Sequence, residues 1–129
     1  MHAVFAISVG SLVGALLRWR LGLWLSSGAV LLPWGTLAAN LIGGYLIGIC
    51  IGVFQHLPQL DPLWRLLLVT GFLGGLTTFS SFSAEVVTMM MQARWLLAAG
   101  TVLLHVCGSL LLTWVGVQTV TALWPILRG

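Results

Sequence analysis

The chain has 129 residues, of which 60% are hydrophobic and only 5% are charged. A soluble domain carries about a quarter charged residues, so this composition predicts an integral membrane protein. Five arginines, with no lysine, stand against Asp61 and Glu85, and the net charge of +3 is too small and too scattered for a nucleic-acid partner, which requires a clustered basic face. The two cysteines lie in apolar runs without a CxxC or histidine-rich spacing, so they predict no metal site.

Four apolar segments are each long enough to cross a hydrocarbon core of about 30 Å, and we predict that each is a transmembrane helix. Their bounds are roughly residues 3–25, 35–54, 63–91 and 95–124. The first segment has no basic n-region and no cleavage site followed by a polar chain, so we expect a retained span and not a signal peptide. The sequence therefore predicts one all-α transmembrane domain, in which a very short third loop joins spans three and four as an antiparallel hairpin.

The arginines are nearly balanced between the two sides of the membrane. Four spans put both termini and the second loop on one side, with Arg65 and Arg128. The other side carries Arg18, Arg20 and Arg94. Because a Lys/Arg excess normally sets orientation, this balance predicts either insertion both ways or a weak bias that still gives one orientation. Insertion both ways permits an antiparallel homodimer with the inverted symmetry that many transporters have.

Small residues recur at helical spacing on the first two spans. Gly10 and Gly14 form a GxxxG pattern on the first span, and Gly44, Gly48 and Gly52 follow every fourth residue on the second. Such stripes let helices approach closely in lipid, so we interpret them as packing surfaces. Four helices alone leave little room for a water-filled path, and we therefore expect an oligomer.

Polar side chains within the spans must face protein or a pore, because an unpaired polar group in lipid costs several kcal/mol. Asn40 lies one turn before Gly44 on the second span. On the fourth span four polar residues recur at intervals of four and form a stripe about 18 Å long; they are Thr101, His105, Ser109 and Thr113. The stripe is either a polar track or a set of hydroxyls bonded to their own helix. For His105 the packing, proton-carrying and metal-binding interpretations all remain open.

The stretch GFLGGLTTFSSFSAE, residues 71–85, contains poor helix formers inside the third span. Glycine and β-branched residues destabilise a continuous helix, so we predict a break near Gly74 to Thr78. Non-helical backbone at membrane depth is tolerated only when it is buried in protein or faces a polar cavity, and its carbonyls are natural cation ligands. If this break lies on a dimer axis, four carbonyl oxygens from two copies are placed to hold one small monovalent cation.

Two phenylalanines follow the predicted break. Phe79 and Phe82 share a helix face, and the positive edges of their rings suit an anion without fixing a full positive charge. Ordinary core packing is the alternative. Glu85, near the end of the third span, is the only carboxylate within the spans, which favours an anion. Arg18 and Arg20 end the first span and either attract anions to an entrance or lie at the interface as snorkelling cations.

The same residues resemble the signature of the Fluc (CrcB) fluoride channels. The resemblance includes the 71–85 stretch, the GTLAAN of residues 35–40, Arg18 after the first GxxxG, and the four-span length. It implies a dual-topology homodimer with a broken third helix and two antiparallel pores. It also implies passive fluoride conduction, a structural sodium ion, a multi-pass position in the bacterial inner membrane and no enzymatic activity.

The resemblance also assigns site residues. Phe79 and Phe82 are expected to coordinate fluoride, Asn40 to donate an amide hydrogen in the pore, and Arg18 to lie at the vestibule. Thr78 and Ser81 are expected to line the path, Ser109 to belong to the polar track, and the backbone oxygens of Gly74 and Thr77 to hold sodium.

One departure from the family pattern adds a titratable group. At the positions where family members carry tyrosine and serine, this chain has Thr101 and His105. We include both in the predicted pore, and conduction is then expected to depend on pH near the reference histidine pKa of about 6.5.

Three rival interpretations remain. A proton-coupled exporter requires a carboxylate buried in mid-span, and only Glu85 is available, near a helix end. An intramembrane enzyme using serine and His105 lacks an acid to orient the histidine. A structural subunit of a larger complex is compatible with the small size.

Overall fold

The computed structural model describes residues 1–26, 28 and 32–129, which form helices joined by short turns. The elements are α1 (His2–Leu25), α2 (Trp34–His56), α3 (Pro62–Arg65), a π-helical segment (Leu66–Leu73), α4 (Gly74–Leu76), α5 (Ser80–Met91) and α6 (Trp95–Arg128). Four helical stretches are long and apolar enough to span a membrane: His2–Leu25, Trp34–His56, Pro62–Met91 and Trp95–Arg128. The chain is therefore an all-α, multi-pass membrane protein.

The predicted span bounds differ little from these stretches. The largest difference is at the C-terminus, where α6 continues through Pro125 to Arg128 instead of ending at Trp124. The predicted first loop falls partly on residues 27 and 29–31, which lie outside the described residues. The third loop is a tight turn in which Ala93 adopts the left-handed backbone conformation, with φ of 56°. This turn brings α5 and α6 together as a hairpin.

Helices α2 and α6 form the most extensive helix pair. The glycines of α2 form the contact surface: a Cβ atom added to Gly52 would lie 2.7 Å from Cβ of Val120, and one added to Gly44 would lie 3.0 Å from the Ser109 carbonyl oxygen. These distances are too short for a side chain. The prediction that this stripe is a packing surface is confirmed.

Helix α1 packs against the π-helical segment and α4 through glycines on both sides. Gly10 and Gly14 are buried against backbone of the π-helical segment and α4. From the other side, a Cβ atom on Gly71 would lie 2.9 Å from the Ile7 carbonyl oxygen, and one on Gly75 would lie 2.5 Å from that of Ser11. Backbone therefore meets backbone along this contact, and the start of the third stretch is fixed to α1.

The chain between α4 and α5 is not helical. Helix α4 ends at Leu76, Thr77 has extended backbone angles (φ −81°, ψ 155°), and α5 begins at Ser80. The eight-residue π-helical segment precedes this stretch, and such segments are rare and are frequent at functional sites. The buried side chains form two small clusters, one around Ala39 and Leu76 and the other around Leu37 and Met89.

The glycine contact between α1 and the third stretch predicts a matched pair of substitutions. Gly14→Ala is expected to lower the free energy of unfolding by about 1–3 kcal/mol, because its methyl group meets the backbone of Phe72 and Leu76. Gly100→Ala lies in α6, where no other described element comes within 4 Å of the added methyl, so helix propensity alone predicts an equal or higher stability. Thermal unfolding in detergent measures both, and equal losses would contradict the packing argument.

Candidate functional site

A groove of about 520 Å³ lies between α2, α6 and the third stretch, and it is open along one side. It brings together most of the predicted site residues, namely Asn40, Gly74, Thr77, Thr78, Phe79, Phe82, His105 and Ser109. Gly43, Gly44 and Thr113 also line it. Its lining is mainly apolar, with hydroxyl, amide and imidazole groups and without an aspartate, glutamate, lysine or arginine.

Asn40 binds the non-helical backbone at Thr78 through two hydrogen bonds. The Thr78 N–H donates to Oδ1 of Asn40 over 2.7 Å, and Nδ2 of Asn40 donates to the Thr78 carbonyl oxygen over 2.9 Å. The side-chain amide therefore replaces the helical partners that Thr78 lacks. A buried backbone group without a partner costs about 1–3 kcal/mol, so this pair stabilises the irregular stretch.

The second hydrogen of the Asn40 amide is used by His105. Nδ2 of Asn40 lies 2.9 Å from Nδ1 of His105, which is buried on α6. A primary amide has two N–H donors, and here one serves the Thr78 carbonyl and the other serves the imidazole. The sequence predicted a pore role for both residues; their direct contact, across 65 positions of chain, was not predictable from spacing.

Three aromatic rings stand in a row along the groove. His105 and Phe82 have ring centroids 4.5 Å apart with an interplanar angle of 31°, and Phe82 and Phe79 are 5.6 Å apart at 69°. The edge of one phenylalanine therefore faces the ring of the other, as their quadrupoles favour. Phe82 is only 7% exposed, whereas Phe79 is 78% exposed in the single chain. Phe79 is thus available for contact with something outside this chain.

The irregular stretch leaves several carbonyl groups without helical partners, and those of Gly74, Leu76 and Thr77 accept no hydrogen bond from the described residues. The Thr78 N–H, which would bond to Gly74 in a continuous helix, bonds to Asn40, and the Ser81 N–H bonds to the Thr78 hydroxyl at 3.1 Å. Among the described residues, no hydrogen bond reaches the carbonyl oxygen of Gly74 or Thr77. These are the two oxygens predicted to hold sodium, and carbonyl oxygens of this kind suit a hard cation.

Arg18 lies on the other side of the irregular stretch. It borders a second cavity of about 340 Å³, and Thr36, Thr78 and Ser81 also line this cavity. Nε of Arg18 donates to the Gly75 carbonyl oxygen over 3.1 Å. Because Thr78 lines both the groove and this cavity, it separates the space next to the guanidinium from the space next to the rings.

One residue of the predicted polar stripe on α6 lies outside the groove. Of the polar stripe on α6, His105, Ser109 and Thr113 line the groove, but Thr101 does not. Thr101 is 1% exposed, and its hydroxyl bonds to the Leu97 carbonyl oxygen at 2.8 Å. In this single chain Thr101 is therefore a packing residue of α6, and its predicted place in the pore stays a prediction.

Sequence reasoning missed a contact between Thr36 and Glu85. The Thr36 hydroxyl donates to Oε1 of Glu85, while Oε2 is buried and has no partner among the described residues. Glu85 lies outside the groove lining. The sequence did indicate that Thr36 and Asn40 lie on the same face of α2, because they are four residues apart.

The chain is similar to named proteins along almost its full length. A sequence profile described as CrcB-like protein, Camphor Resistance (CrcB), matches residues 5–117. The protein named Fluoride-specific ion channel FluC from Albidiferax ferrireducens is 69% identical over 123 residues, which cover 95% of this chain and 94% of that protein. The protein of the same name from Variovorax paradoxus is 61% identical, over 93% of this chain and 95% of that protein. The one from Paracidovorax citrulli is 59% identical, over 97% of each chain.

The pairing of Asn40 with Thr78 predicts a local loss of protection. Asn40→Ala is expected to speed amide hydrogen exchange at residues 77–79 and to lower stability by about 2 kcal/mol, because both backbone groups of Thr78 lose their partners. Thr113→Val is the control, since its hydroxyl bonds to carbonyls of regular helices. Unchanged exchange at 77–79 in Asn40→Ala would show that the pairing does not stabilise this stretch.

Proposed function

Because this chain belongs to the CrcB family, we propose that it is a passive, fluoride-selective channel of the bacterial inner membrane that lets fluoride leave the cytoplasm. The observation that carries the proposal is the groove, in which Phe79, Phe82 and His105 form a row of rings beside hydroxyl groups with no fixed charge. The choice of ion is supported by the names of relatives that are more than 50% identical to this chain.

The chemistry of the groove suits a small, strongly hydrated anion. A pore for such an ion must replace its water with closely spaced donors, yet bind weakly enough at several sites for the ion to leave. The Ser109 hydroxyl, an imidazole N–H and ring edges provide partial positive charge, whereas the Thr77 and Thr113 hydroxyls already donate to backbone carbonyls. The single nearby cation, Arg18, already bonds to Gly75 and lies in the adjoining cavity, where it attracts anions without closing the path.

Export along this path requires no energy-coupling device. Neutral hydrogen fluoride crosses membranes, dissociates in a more alkaline cytoplasm and leaves fluoride trapped there. A membrane potential that is negative inside then drives the anion outward by about 2.3 kcal/mol per 100 mV. A passive pore is therefore sufficient.

We propose that a second, oppositely oriented copy closes each groove. Phe79 is 78% exposed and the groove is open, so one chain does not enclose a path. Gly74 supports this proposal: its backbone is ordinary right-handed helix (φ −61°, ψ −36°), and an added Cβ would meet only the Val69 carbonyl oxygen, at 3.7 Å. Neither backbone conformation nor packing within the chain requires glycine there. The near-balance of arginines is compatible with both orientations.

The same position fits a structural sodium ion. The carbonyl oxygens of Gly74 and Thr77 accept no hydrogen bond from the described residues, and two copies would supply four such oxygens. No cluster of three or more His, Cys, Asp or Glu side chains occurs in the part of the chain that is described, so backbone oxygens are the fitting donors there. A bound cation would also join the two copies across their axis.

The exporter alternative is less well supported. It requires a carboxylate on the transport path, and Glu85 lies outside the groove with one oxygen bonded to Thr36.

Fluoride efflux from proteoliposomes tests the proposed function directly. Wild-type protein is expected to release fluoride but not chloride, and Phe79→Ile and Phe82→Ile are each expected to cut the rate about tenfold or more, since an aliphatic side chain has no positive edge. Phe5→Ile is the matched control, because Phe5 is 72% exposed on α1 and lies outside the groove. Wild-type protein that moves no fluoride, or moves chloride equally well, would refute the proposal.

A substitution at Gly74 tests the dimer and the cation together. Gly74→Leu is expected to keep the folded chain, since an added Cβ there makes only an ordinary 3.7 Å contact with the Val69 carbonyl oxygen, but to give monomers in detergent and to lose the rise in melting temperature on adding NaCl in place of choline chloride. Gly100→Leu, where an added Cβ meets no neighbouring element among the described residues, is expected to retain both properties. A dimeric, sodium-stabilised Gly74→Leu variant would exclude this arrangement.

A further inference from the structure

The orientation of the Asn40 amide is fixed by backbone groups whose hydrogen-bonding roles are unambiguous. The Thr78 N–H can only donate, so the atom 2.7 Å from it is the Asn40 oxygen. The Thr78 carbonyl can only accept, so the atom 2.9 Å from it is the Asn40 nitrogen. Exchanging the two atoms would place donor against donor and acceptor against acceptor.

This orientation determines the tautomer of His105. The Asn40 nitrogen also lies 2.9 Å from Nδ1 of His105, and an amide nitrogen only donates, so Nδ1 accepts and carries no proton. A neutral imidazole with a bare Nδ1 carries its proton on Nε2. Among the described residues, no partner for Nε2 is found, and His105 lines the groove.

Asn40 meanwhile has no donor left for an anion. Its two amide hydrogens are used by the Thr78 carbonyl and by His105. An anion in the groove would have to break one of these bonds to reach the amide, and either break leaves a backbone carbonyl or a buried imidazole without its partner.

We propose that the Nε2–H group of His105, and not the amide of Asn40, is a hydrogen-bond donor that this channel offers to fluoride in the groove. Asn40 is then a positioning residue, which holds the Thr78 backbone and fixes the imidazole tautomer. This inference rests on the proposed fluoride channel function and assigns the donor within it.

The surroundings of the ring fit such a donor. His105 packs against Phe82 with centroids 4.5 Å apart, so packing and the Nδ1 hydrogen bond together fix the plane and rotation of the imidazole. Neither charged side chain near the irregular stretch bonds to the ring: Glu85 bonds to Thr36 and Arg18 bonds to Gly75. A neutral N–H donor in a fixed direction can replace a water of the anion's hydration shell without adding a full charge.

Solid-state ¹⁵N NMR of histidine-labelled wild-type protein in liposomes tests the tautomer without depending on flux. His56 is an internal reference of the opposite kind, because its Nδ1 lies 2.8 Å from the Gly52 carbonyl oxygen and must carry a proton. At neutral pH we expect His105, assigned by loss of its signals in His105→Asn, to be protonated on Nε2 only. We also expect its Nε2 signal to shift when chloride in the buffer is replaced by fluoride, with no shift at His56.

Fluoride efflux of three variants tests the donor itself. His105→Gln can place an amide donor near the Nε2 position and is expected to stay within about threefold of wild type, whereas His105→Phe keeps a ring but no donor and is expected to fall about tenfold or more. His105→Asn reaches Asn40 but not the Nε2 position and is expected to resemble His105→Phe.

The outcomes separate this inference from the proposed function. Absence of fluoride flux in wild-type protein would refute the channel itself. With wild-type flux present, a proton on Nδ1 of His105, an Nε2 signal insensitive to fluoride, or unimpaired flux in His105→Phe would each overturn the donor assignment alone.

Discussion

The arrangement of the groove depends on the hydrogen bonding of one side-chain amide to one stretch of backbone. Asn40 binds both the N–H and the carbonyl of Thr78, at a place where the chain has left α4 and has not yet entered α5. In apolar surroundings unpaired backbone groups cost about 1–3 kcal/mol each. Without the amide, the N–H and the carbonyl of Thr78 would both lack partners, so Asn40 stabilises the interruption between α4 and α5.

The side-chain hydrogen bonds to the irregular stretch satisfy some of its backbone groups and leave other carbonyl oxygens without a donor. The Thr78 N–H donates to Asn40 and not to the Gly74 carbonyl, which would be its partner in a continuous helix. The Ser81 N–H donates to the Thr78 hydroxyl, and Arg18 donates to the Gly75 carbonyl. The carbonyl oxygens of Gly74 and Thr77 are left without donors from the described residues. The polar residues of this very apolar chain therefore act mainly on its backbone, and their arrangement determines which oxygens remain available to a cation.

The sequence predicted the features that depend on local composition. Hydrophobic length predicted the four spans, and the spacing of glycines predicted the packing surfaces on α1 and α2. It did not predict partners that are distant in sequence, such as Asn40 with His105 or Thr36 with Glu85, because a periodic pattern gives the face of a helix but not the helix opposite it. The even spacing of Thr101 and His105 also did not show that Thr101 is buried outside the groove while His105 lines it.

Of the three glycines in the GFLGG stretch, the packing of one chain explains two and leaves Gly74 without an explanation. Gly71 and Gly75 are required within the chain, because an added Cβ would meet the carbonyl oxygens of α1 at 2.9 and 2.5 Å. Gly74 has ordinary helical angles and lies exposed in the groove, where an added Cβ would make only an ordinary contact with the Val69 carbonyl oxygen. A glycine there lowers helix stability by about 1 kcal/mol relative to alanine with no gain inside the chain. A close approach from outside the chain would supply the reason that the fold of one chain lacks, and the proposed second copy with its cation is an arrangement of that kind.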